Sequence, residues 1–254
     1  MLSKESDHMM QESLITNKSS HCVKRAIIMA AGTGTRLHPV TLSVPKPLVK
    51  VNGIRMIDTV INALHSNGIY EIYVVTGYLK EEFESLPAQY PGLVLIDNPY
   101  YDTCNNISSL YAARDHLEDC IILDGDQIIW NPEVLNPVFE RSCYAAAWTD
   151  IATNEWLLDV EDGIIRSCSR TGGIHGWQLY SVSRWTAEDG QLLKQLITKE
   201  FTSGNTDIYW DDVPIFVHPN AFELGIWPIE KSDLIEIDDI SELVEIDPSY
   251  AELL

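Results

Sequence analysis

The chain has 254 residues, of which 45% are hydrophobic, so it is long enough to form one large domain with a full core. Its 38 acidic residues outnumber its 17 basic ones, and the formal net charge of −21 argues against binding to nucleic acid or to an anionic membrane. The five cysteines form no CxxC pair and no run of about 18 apolar residues is present, so we expect neither a zinc site nor a membrane helix, but a soluble, cytoplasmic protein.

The N-terminal stretch Met1–Val23 differs from the rest of the chain. It is polar, has no apolar periodicity and lacks the apolar run of a signal peptide. We predict a flexible tail over residues 1–23, followed by a single domain over residues 24–254.

The first half of this domain alternates apolar strands with helices. The predicted strands are Arg25–Ala31, Glu71–Thr76, Leu93–Asp97 and Cys120–Leu123, and the predicted helices are Arg55–Asn67, Lys80–Leu86 and Ser108–His116. This alternation predicts a mostly parallel sheet that is covered by helices on both faces.

The second half has a different pattern. We predict strands at Tyr144–Asp150, Glu155–Val160, Ile164–Ser169, Pro214–Trp227 and Leu234–Ile237, and a helix at Trp185–Phe201. The predicted fold is therefore α/β: a Rossmann-like, mostly parallel mixed sheet flanked by helices, with a small antiparallel substrate-binding extension.

A glycine loop, Ala30–Arg36, follows the first strand. Gly32 and Gly34 allow backbone N–H groups to turn toward a polyphosphate, and Arg36 adds a positive charge. The spacing fits neither a Walker A loop nor a dinucleotide fingerprint. An ordinary glycine turn is the alternative, but Lys46, held between two prolines, lies where it could reach the same phosphates.

Acidic residues lie at the ends of two of the predicted strands. Asp124 and Asp126 lie at the end of Cys120–Leu123, where α/β sheets bind ligands, and Glu236 and Asp238 are two residues apart and so share one face of a strand. Oxygen ligands of this kind suit Mg²⁺, although solvated acids are the alternative for both pairs.

Large aromatic residues stand beside acids at Thr153–Trp156 and at Asp207–Asp212. Such a cluster can cage a cation, because an aromatic face attracts a quaternary ammonium by about 2 kcal/mol or more when the site is desolvated. Trp156 and Trp210 could instead be ordinary core residues.

The segment AIIMAAGTGTRLHPVTLSVPKPLVKVNG resembles the signature of the sugar-nucleotidyltransferase superfamily. The resemblance implies that the loop and the lysine hold a nucleoside triphosphate and that the acid after the fourth strand holds a metal ion. On this sequence the phosphate-binding positions are Ala31, Gly32, Gly34, Arg36 and Lys46, and the metal position is Asp126 rather than Asp124.

Four further segments, NNISSLY, TNEW, YWD and IEID, resemble the bacterial CTP:phosphocholine cytidylyltransferases of the LicC type. That resemblance implies transfer of CMP from CTP to phosphocholine, with CDP-choline and diphosphate as products and Mg²⁺ as the cofactor. It places Asn106 and Ser108 near the nucleotide, and Glu236 and Asp238 beside the metal. The residues implied for the choline pocket are Trp156, Tyr209 and Asp211.

The expected chemistry is in-line attack of the acceptor on the α-phosphorus, with Arg36 and Lys46 as catalytic residues that stabilise charge. Three alternatives stay open: cytidylyl transfer to another phospho- or phosphono-amine such as 2-aminoethylphosphonate, a sugar-1-phosphate nucleotidyltransferase, and a non-catalytic nucleotide-binding regulator. The sequence does not indicate an oligomeric state.

Overall fold

The computed structural model describes residues 20–253. In this part of the chain the strands, β1 to β15 in chain order, are His21–Cys22, Arg25–Ala30, Lys50–Val51, Ile54–Arg55, Glu71–Thr76, Leu93–Asp97, Cys120–Asp124, Gln127–Ile129, Val138–Phe139, Cys143–Thr149, Leu157–Glu161, Ile164–Ser169, Gly176–Trp185, Gly225–Pro228 and Leu234–Glu236. The α-helices there, α1 to α5, are Met56–Ser66, Leu86–Gln89, Ile107–Ala112, Ala187–Thr202 and Ile240–Ile246.

The centre of the main sheet is parallel and has the strand order β6-β5-β2-β7. The chain builds β2, β5 and β6 toward one edge and then returns to the other side of β2 to form β7. Such a reversal opens a crevice at the carboxyl ends of the two strands that flank it, which is where open α/β sheets bind ligands. The site is therefore expected beyond Ala30 and Asp124, the last residues of β2 and β7.

The sheet continues through β13, which runs antiparallel to β7. β13 also pairs with β10 and β11, and β12 and β14 complete a mostly antiparallel extension. Because β13 belongs to both parts, it connects the parallel sheet rigidly to the extension.

Two apolar layers cover the sheet because neighbouring residues of β2 point to opposite faces. Ile28 packs in a cluster with the buried side of α1, whereas Ile27 packs on the other face with residues of α3 and α4. Both isoleucines are fully buried, as is typical of a central parallel strand.

The predicted fold class is confirmed, and several predicted strands, among them Glu71–Thr76 and Leu93–Asp97, have the predicted bounds. The sequence prediction missed β13 as well as the short β8 and the helix α5. The strand predicted over Pro214–Trp227 is wrong: Val213–Val217 form a turn of π-helix, and only Gly225–Pro228 are in a strand. Pro214 lacks the N–H that an inner strand needs.

Most of the predicted tail lies outside the described residues. Its last three residues are part of the fold, because His21–Cys22 pair with Val138–Phe139 and Val23 is buried in the core. Across residues 20–253, no helix has both the length and the apolar character needed to cross a membrane.

Candidate active site

Two adjoining clefts open at the carboxyl ends of β2 and β7. The first is lined by the glycine loop, whereas the second lies toward the antiparallel extension. Four residues line both clefts: Arg36, Asp126, Tyr209 and Asp238. Ligands in the two clefts would therefore contact the same four side chains.

The glycine loop needs glycine at position 34 for two reasons. Gly34 has a φ of +61°, in the left-handed region that other residues rarely adopt. A Cβ at this position would also lie 3.0 Å from Lys46 Cβ and 3.1 Å from Thr41 Cγ2. Gly34 thus allows the segment that carries Lys46 to approach the loop.

Gly32 and Ala31 have different environments. A Cβ on Gly32 would meet no protein atom within 4 Å, so its backbone borders the open cleft. Ala31 is buried, and its carbonyl accepts a hydrogen bond of 3.1 Å from the backbone N–H of Tyr78. Ala31 therefore forms part of the support of the loop.

Lys46 is buried and lies between two carboxylates. Its Nζ is 2.5 Å from Asp126 Oδ2 and 3.0 Å from Asp238 Oδ1. Burial lowers the pKa of Lys46, but attraction to Asp126 and Asp238 outweighs it, and the net shift is upward. Lys46 is thus a charged lysine that neutralises two acids from distant parts of the chain. Asp238 Oδ1 also accepts from Arg36 Nη2 at 2.9 Å.

Glu236 and Asp124 form a second acidic group deeper in the cleft. Glu236 Oε1 accepts hydrogen bonds from Gln127 Nε2 at 2.6 Å and from the backbone N–H of Ser181 at 3.3 Å. Burial raises the pKa of Glu236 to about 7, with a further contribution from Asp126 and an opposing one from the Gln127 bond. Burial, together with repulsion from Asp126 and Glu236, also raises the pKa of Asp124 well above its usual range.

The three predicted metal ligands are therefore only partly assembled. Asp126 and Asp238 converge on Lys46, whereas Glu236 faces Gln127 and Ser181. Across residues 20–253, no three His, Cys, Asp or Glu side chains form a ready-made metal-binding group. All three nevertheless line the same cleft, as their sequence positions predicted.

Trp156 and Tyr209 form an aromatic corner in the second cleft. Their ring centroids are 6.0 Å apart and their planes meet at 88°. Tyr209 is 47% exposed and Trp156 is half-buried. Trp210, by contrast, is a core residue that is only 4% exposed and packs on Tyr144 and Trp185.

Asp211 lies at the inner end of this corner and lines the cleft. Burial raises its pKa to about 7, while the facing Tyr144 hydroxyl lowers it and repulsion from Asp212 raises it further. Asp211 Oδ1 and the Tyr144 hydroxyl are both enclosed, yet neither has a hydrogen bond of normal geometry. A negative charge on Asp211 is therefore only weakly stabilised by the protein itself.

The two residues predicted near the nucleotide have different positions. Asn106 lines the second cleft and its Oδ1 accepts from the backbone N–H of Trp210 at 2.8 Å. Ser108 is buried, accepts from Asn98 Nδ2 at 2.9 Å and donates to the Asn105 carbonyl at 2.8 Å. Asn106 can therefore touch a ligand directly, whereas Ser108 supports the start of α3.

Sequence reasoning missed three residues that line the second cleft, namely Glu155, Leu179 and Ser181. It also missed Gln127, which is buried and donates to Glu236. Leu179 and Ser181 lie on β13, which was not predicted. Glu155 could have been found, since it adjoins Trp156 in an acid–aromatic motif.

Comparison with known proteins shows which family this chain resembles. A family model described as nucleotidyl transferase matches residues 25–133. The 2-aminoethylphosphonate cytidylyltransferase of Lancefieldella rimae is 40% identical over 243 residues, which cover 93% of this chain and 98% of that protein. The choline-phosphate cytidylyltransferase of Streptococcus pneumoniae is 35% identical over 227 residues, which cover 86% of this chain and 94% of that protein.

A solved structure supports the same similarity. The CTP:phosphocholine cytidylyltransferase from Streptococcus pneumoniae (LicC) superposes with a TM-score of 0.81 at 30% identity, covering 89% of this chain and 99% of that chain. The similarity therefore extends through the parallel sheet and the antiparallel extension, and so includes both clefts.

Proposed function

Because this chain is a cytidylyltransferase of the nucleotidyl transferase family, we propose that it transfers CMP from CTP to an acceptor with a primary amine. The acceptor is a phosphonate or a phosphate ester, such as 2-aminoethylphosphonate. CTP would occupy the glycine-loop cleft, and the amine acceptor would occupy the second cleft. The two would meet at the wall that both clefts share.

The acidity of the second cleft is the observation that carries this proposal. Six of the twelve residues that line it are acids, and Arg36 is its one basic lining residue. The acids are Asp124, Asp126, Glu155, Asp211, Glu236 and Asp238. A primary ammonium donates three hydrogen bonds to such oxygens, whereas a trimethylammonium donates none. Even with Asp126, Glu236 and Asp238 set aside as the proposed metal ligands, three acids remain to face the acceptor, namely Asp124, Glu155 and Asp211. The cleft therefore favours the primary amine over a sugar ring, which has no positive charge to offer these acids.

The relatives are consistent with this choice of acceptor. The 2-aminoethylphosphonate enzyme is the more similar of the two relatives described above, at 40% against 35% identity, and it aligns over more of the chain.

Phosphocholine is the second candidate acceptor. The observation that favours it is the aromatic corner of Trp156 and Tyr209, whose perpendicular rings could contact the methyl groups of a quaternary ammonium. Two rings close only part of a cage, and six of the ten other residues that line the cleft are acids.

The proposed reaction is an in-line displacement at the α-phosphorus of CTP. An anionic oxygen of the acceptor forms the new P–O bond as the bond to the bridging oxygen breaks, and diphosphate leaves with that electron pair. The oxygen is already deprotonated at neutral pH, so no protein base is needed. Arg36 and Lys46 would stabilise the charge that develops on the phosphate oxygens.

We also propose Mg²⁺ as the cofactor, held by Asp126 and Asp238 with Glu236 beside them. The donor set fits a hard cation because all of these ligands are oxygens and because Asp126 and Asp238 already converge on a positive charge, that of Lys46. When bound, the metal would neutralise phosphate charge. The side chain of Lys46 would then be free to contact the triphosphate.

One experiment with four acceptors separates the effect of the amine on activity from the effect of the phosphorus group. The acceptors are 2-aminoethylphosphonate, its N-trimethyl derivative, phosphoethanolamine and phosphocholine. Diphosphate release with CTP and Mg²⁺ gives kcat/KM for each. We expect both primary amines to exceed their trimethylated partners by about tenfold or more, a difference of about 1.4 kcal/mol. Equal or higher values for the trimethylated pair would overturn the choice of a primary amine, and no release with any of the four would overturn the amine acceptor.

A further inference from the structure

Arg170 follows β12 and lies behind the aromatic corner. Its side chain is 46% exposed, and Nη2 is 2.5 Å from Asp212 Oδ1. Its guanidinium carbon lies 4.2 Å from the ring centroid of Phe216 and 5.4 Å from that of Trp156. Arg170 is not among the residues that line either cleft. It thus contacts a residue of the acceptor pocket from outside the pocket.

Asp212 connects Arg170 to the other ring of the corner. Its side chain is only 1% exposed, and Oδ2 accepts a hydrogen bond of 3.0 Å from the backbone N–H of Tyr209. Burial raises the pKa of Asp212, while the Tyr209 N–H and Arg170 lower it. A buried carboxylate depends strongly on its partners, and Arg170 is the cation paired with this one.

Trp156 and Tyr209 come from separate segments of the chain. Trp156 directly precedes β11, and Tyr209 lies in the loop between α4 and the π-helical turn. Phe216 reinforces the connection, because its ring packs edge-on against Trp156 with centroids 5.4 Å apart. The Arg170 guanidinium therefore contacts Trp156 directly and Tyr209 through Asp212.

We propose that Arg170 is a positioning residue that sets the angle and separation of Trp156 and Tyr209, and so determines which ammonium groups the acceptor pocket accepts. This inference rests on the proposed function, because it assigns the second cleft to the amine. Arg170 has no contact with the reacting atoms; it acts through Asp212 on Tyr209 and through direct packing on Trp156.

Two replacements separate its two contacts. Arg170→Ala removes both the charge at Asp212 and the planar group on Trp156 and Phe216. Arg170→Lys keeps a positive charge but lacks the flat guanidinium that stacks on rings. Arg166→Ala is the matched control, since Arg166 lies on β12 itself, is 49% exposed and pairs with Glu161 at the surface.

The readout is the KM of each substrate together with the ratio of kcat/KM between primary and trimethylated amines. For Arg170→Ala we expect the acceptor KM to rise about tenfold and the KM for CTP to change less than about twofold. The reason is that Trp156 lines only the second cleft, and Tyr209 is one of the twelve residues that line the glycine-loop cleft. The preference for a primary amine should fall by at least about threefold. Arg170→Lys should recover the thermal stability that Arg170→Ala loses, while its acceptor KM stays raised. Arg166→Ala should have the KM values, the amine preference and the thermal stability of the wild type.

An unchanged acceptor KM in both Arg170 variants, or an equal rise in the KM values of CTP and acceptor, would overturn the inference. If Arg170→Ala does not fold, the same criteria apply to Arg170→Lys alone. Failure of the proposed function is distinguishable, because the wild-type protein itself would then release no diphosphate with any of the amines.

Discussion

Lys46 contacts two acidic residues of the candidate site that come from distant parts of the sequence. Its ammonium contacts an acid that follows β7 and another that follows β15, although Asp238 is 192 residues away in sequence. In this arrangement the lysine supplies the positive charge that a bound metal ion would otherwise supply. In the proposed mechanism, phosphate binding and metal binding are therefore coupled through one side chain.

This coupling gives a prediction for Lys46→Met, which keeps most of the apolar stem and removes the charge. Turnover should fall about 10²- to 10³-fold, as when one preorganised stabilising group is removed. In the absence of nucleotide, the variant should bind Mg²⁺ more tightly than the wild type, because two carboxylates lose their competing ammonium. Isothermal titration calorimetry with Mg²⁺ measures this affinity. The control is Lys50→Ala, which replaces an exposed lysine. Unchanged or weaker Mg²⁺ binding in Lys46→Met would contradict the coupling.

Asp211 gives a prediction about pH. Its pKa in the folded protein, about 7, is raised above the ordinary value of 3.8, so the folded state holds the proton more strongly than the unfolded state. Ionisation of Asp211 therefore destabilises the folded protein. This destabilisation is absent below the unfolded pKa, grows as the pH rises and is complete above about 7. Asp211→Asn should therefore raise the free energy of unfolding by about 2–4 kcal/mol at pH 8 and by little near pH 4.

The same variant should lose activity while it gains stability, because Asp211 is one of the acids that face the proposed ammonium. Urea unfolding at several pH values and kcat/KM for the acceptor are the two measurements. A variant that is less stable than the wild type at pH 8 would show that the carboxylate is well satisfied in the fold.

At the scale of elements, the glycine loop and the Pro45–Pro47 segment pack as one unit. Gly34 admits Lys46 from one side, and Gly125 admits Pro47 from the other, where a Cβ would lie 3.2 Å from the proline ring. Glycine at these positions is a requirement of packing between elements, in addition to any contact with phosphate.

Gly34→Ala tests this packing against a matched control, Gly53→Ala. Both glycines have positive φ, +61° and +85°, so both substitutions carry backbone strain of about 1–2 kcal/mol. Only the Gly34 variant brings a Cβ against Lys46, whereas nothing lies within 4 Å of one at Gly53. We expect both variants to lose thermal stability, Gly34→Ala the more, with the KM for CTP raised about tenfold in Gly34→Ala alone. A normal KM for CTP in that variant would mean that the position of Lys46 does not depend on the loop.

The elements also show where sequence reasoning succeeds. β2 and β5 were predicted closely because their apolar runs are continuous, as in parallel strands that are buried on both faces. β13 was missed because its residues Ser181, Ser183 and Arg184 interrupt any apolar pattern. The buried Arg184 donates to the carbonyls of Val134 and Asn136, about fifty residues away, and such partners cannot be identified from local sequence.

At the scale of the whole molecule, the chain is strongly acidic, and acids also make up six of the twelve residues that line the second cleft. The sequence predicted an acidic and aromatic second site, and the structure brings Trp156, Tyr209 and Asp211 to one cleft together with Asp126 and Glu236. It did not predict that Lys46 would lie between Asp126 and Asp238, or that Arg170 would support the aromatic corner. These contacts depend on tertiary packing across 192 and 42 residues, for which a single sequence contains no signal.

The most direct test of the central claim is a competition followed by ³¹P NMR. The protein is given CTP, Mg²⁺ and equal concentrations of 2-aminoethylphosphonate and phosphocholine, so that both acceptors and the diphosphate product are observed in one sample. We predict that the phosphonate resonance is converted first to that of a CMP-linked phosphonate, with diphosphate appearing in equal amount, while phosphocholine persists. Consumption of phosphocholine before the phosphonate, or CTP that stays intact beside both acceptors, would contradict the account.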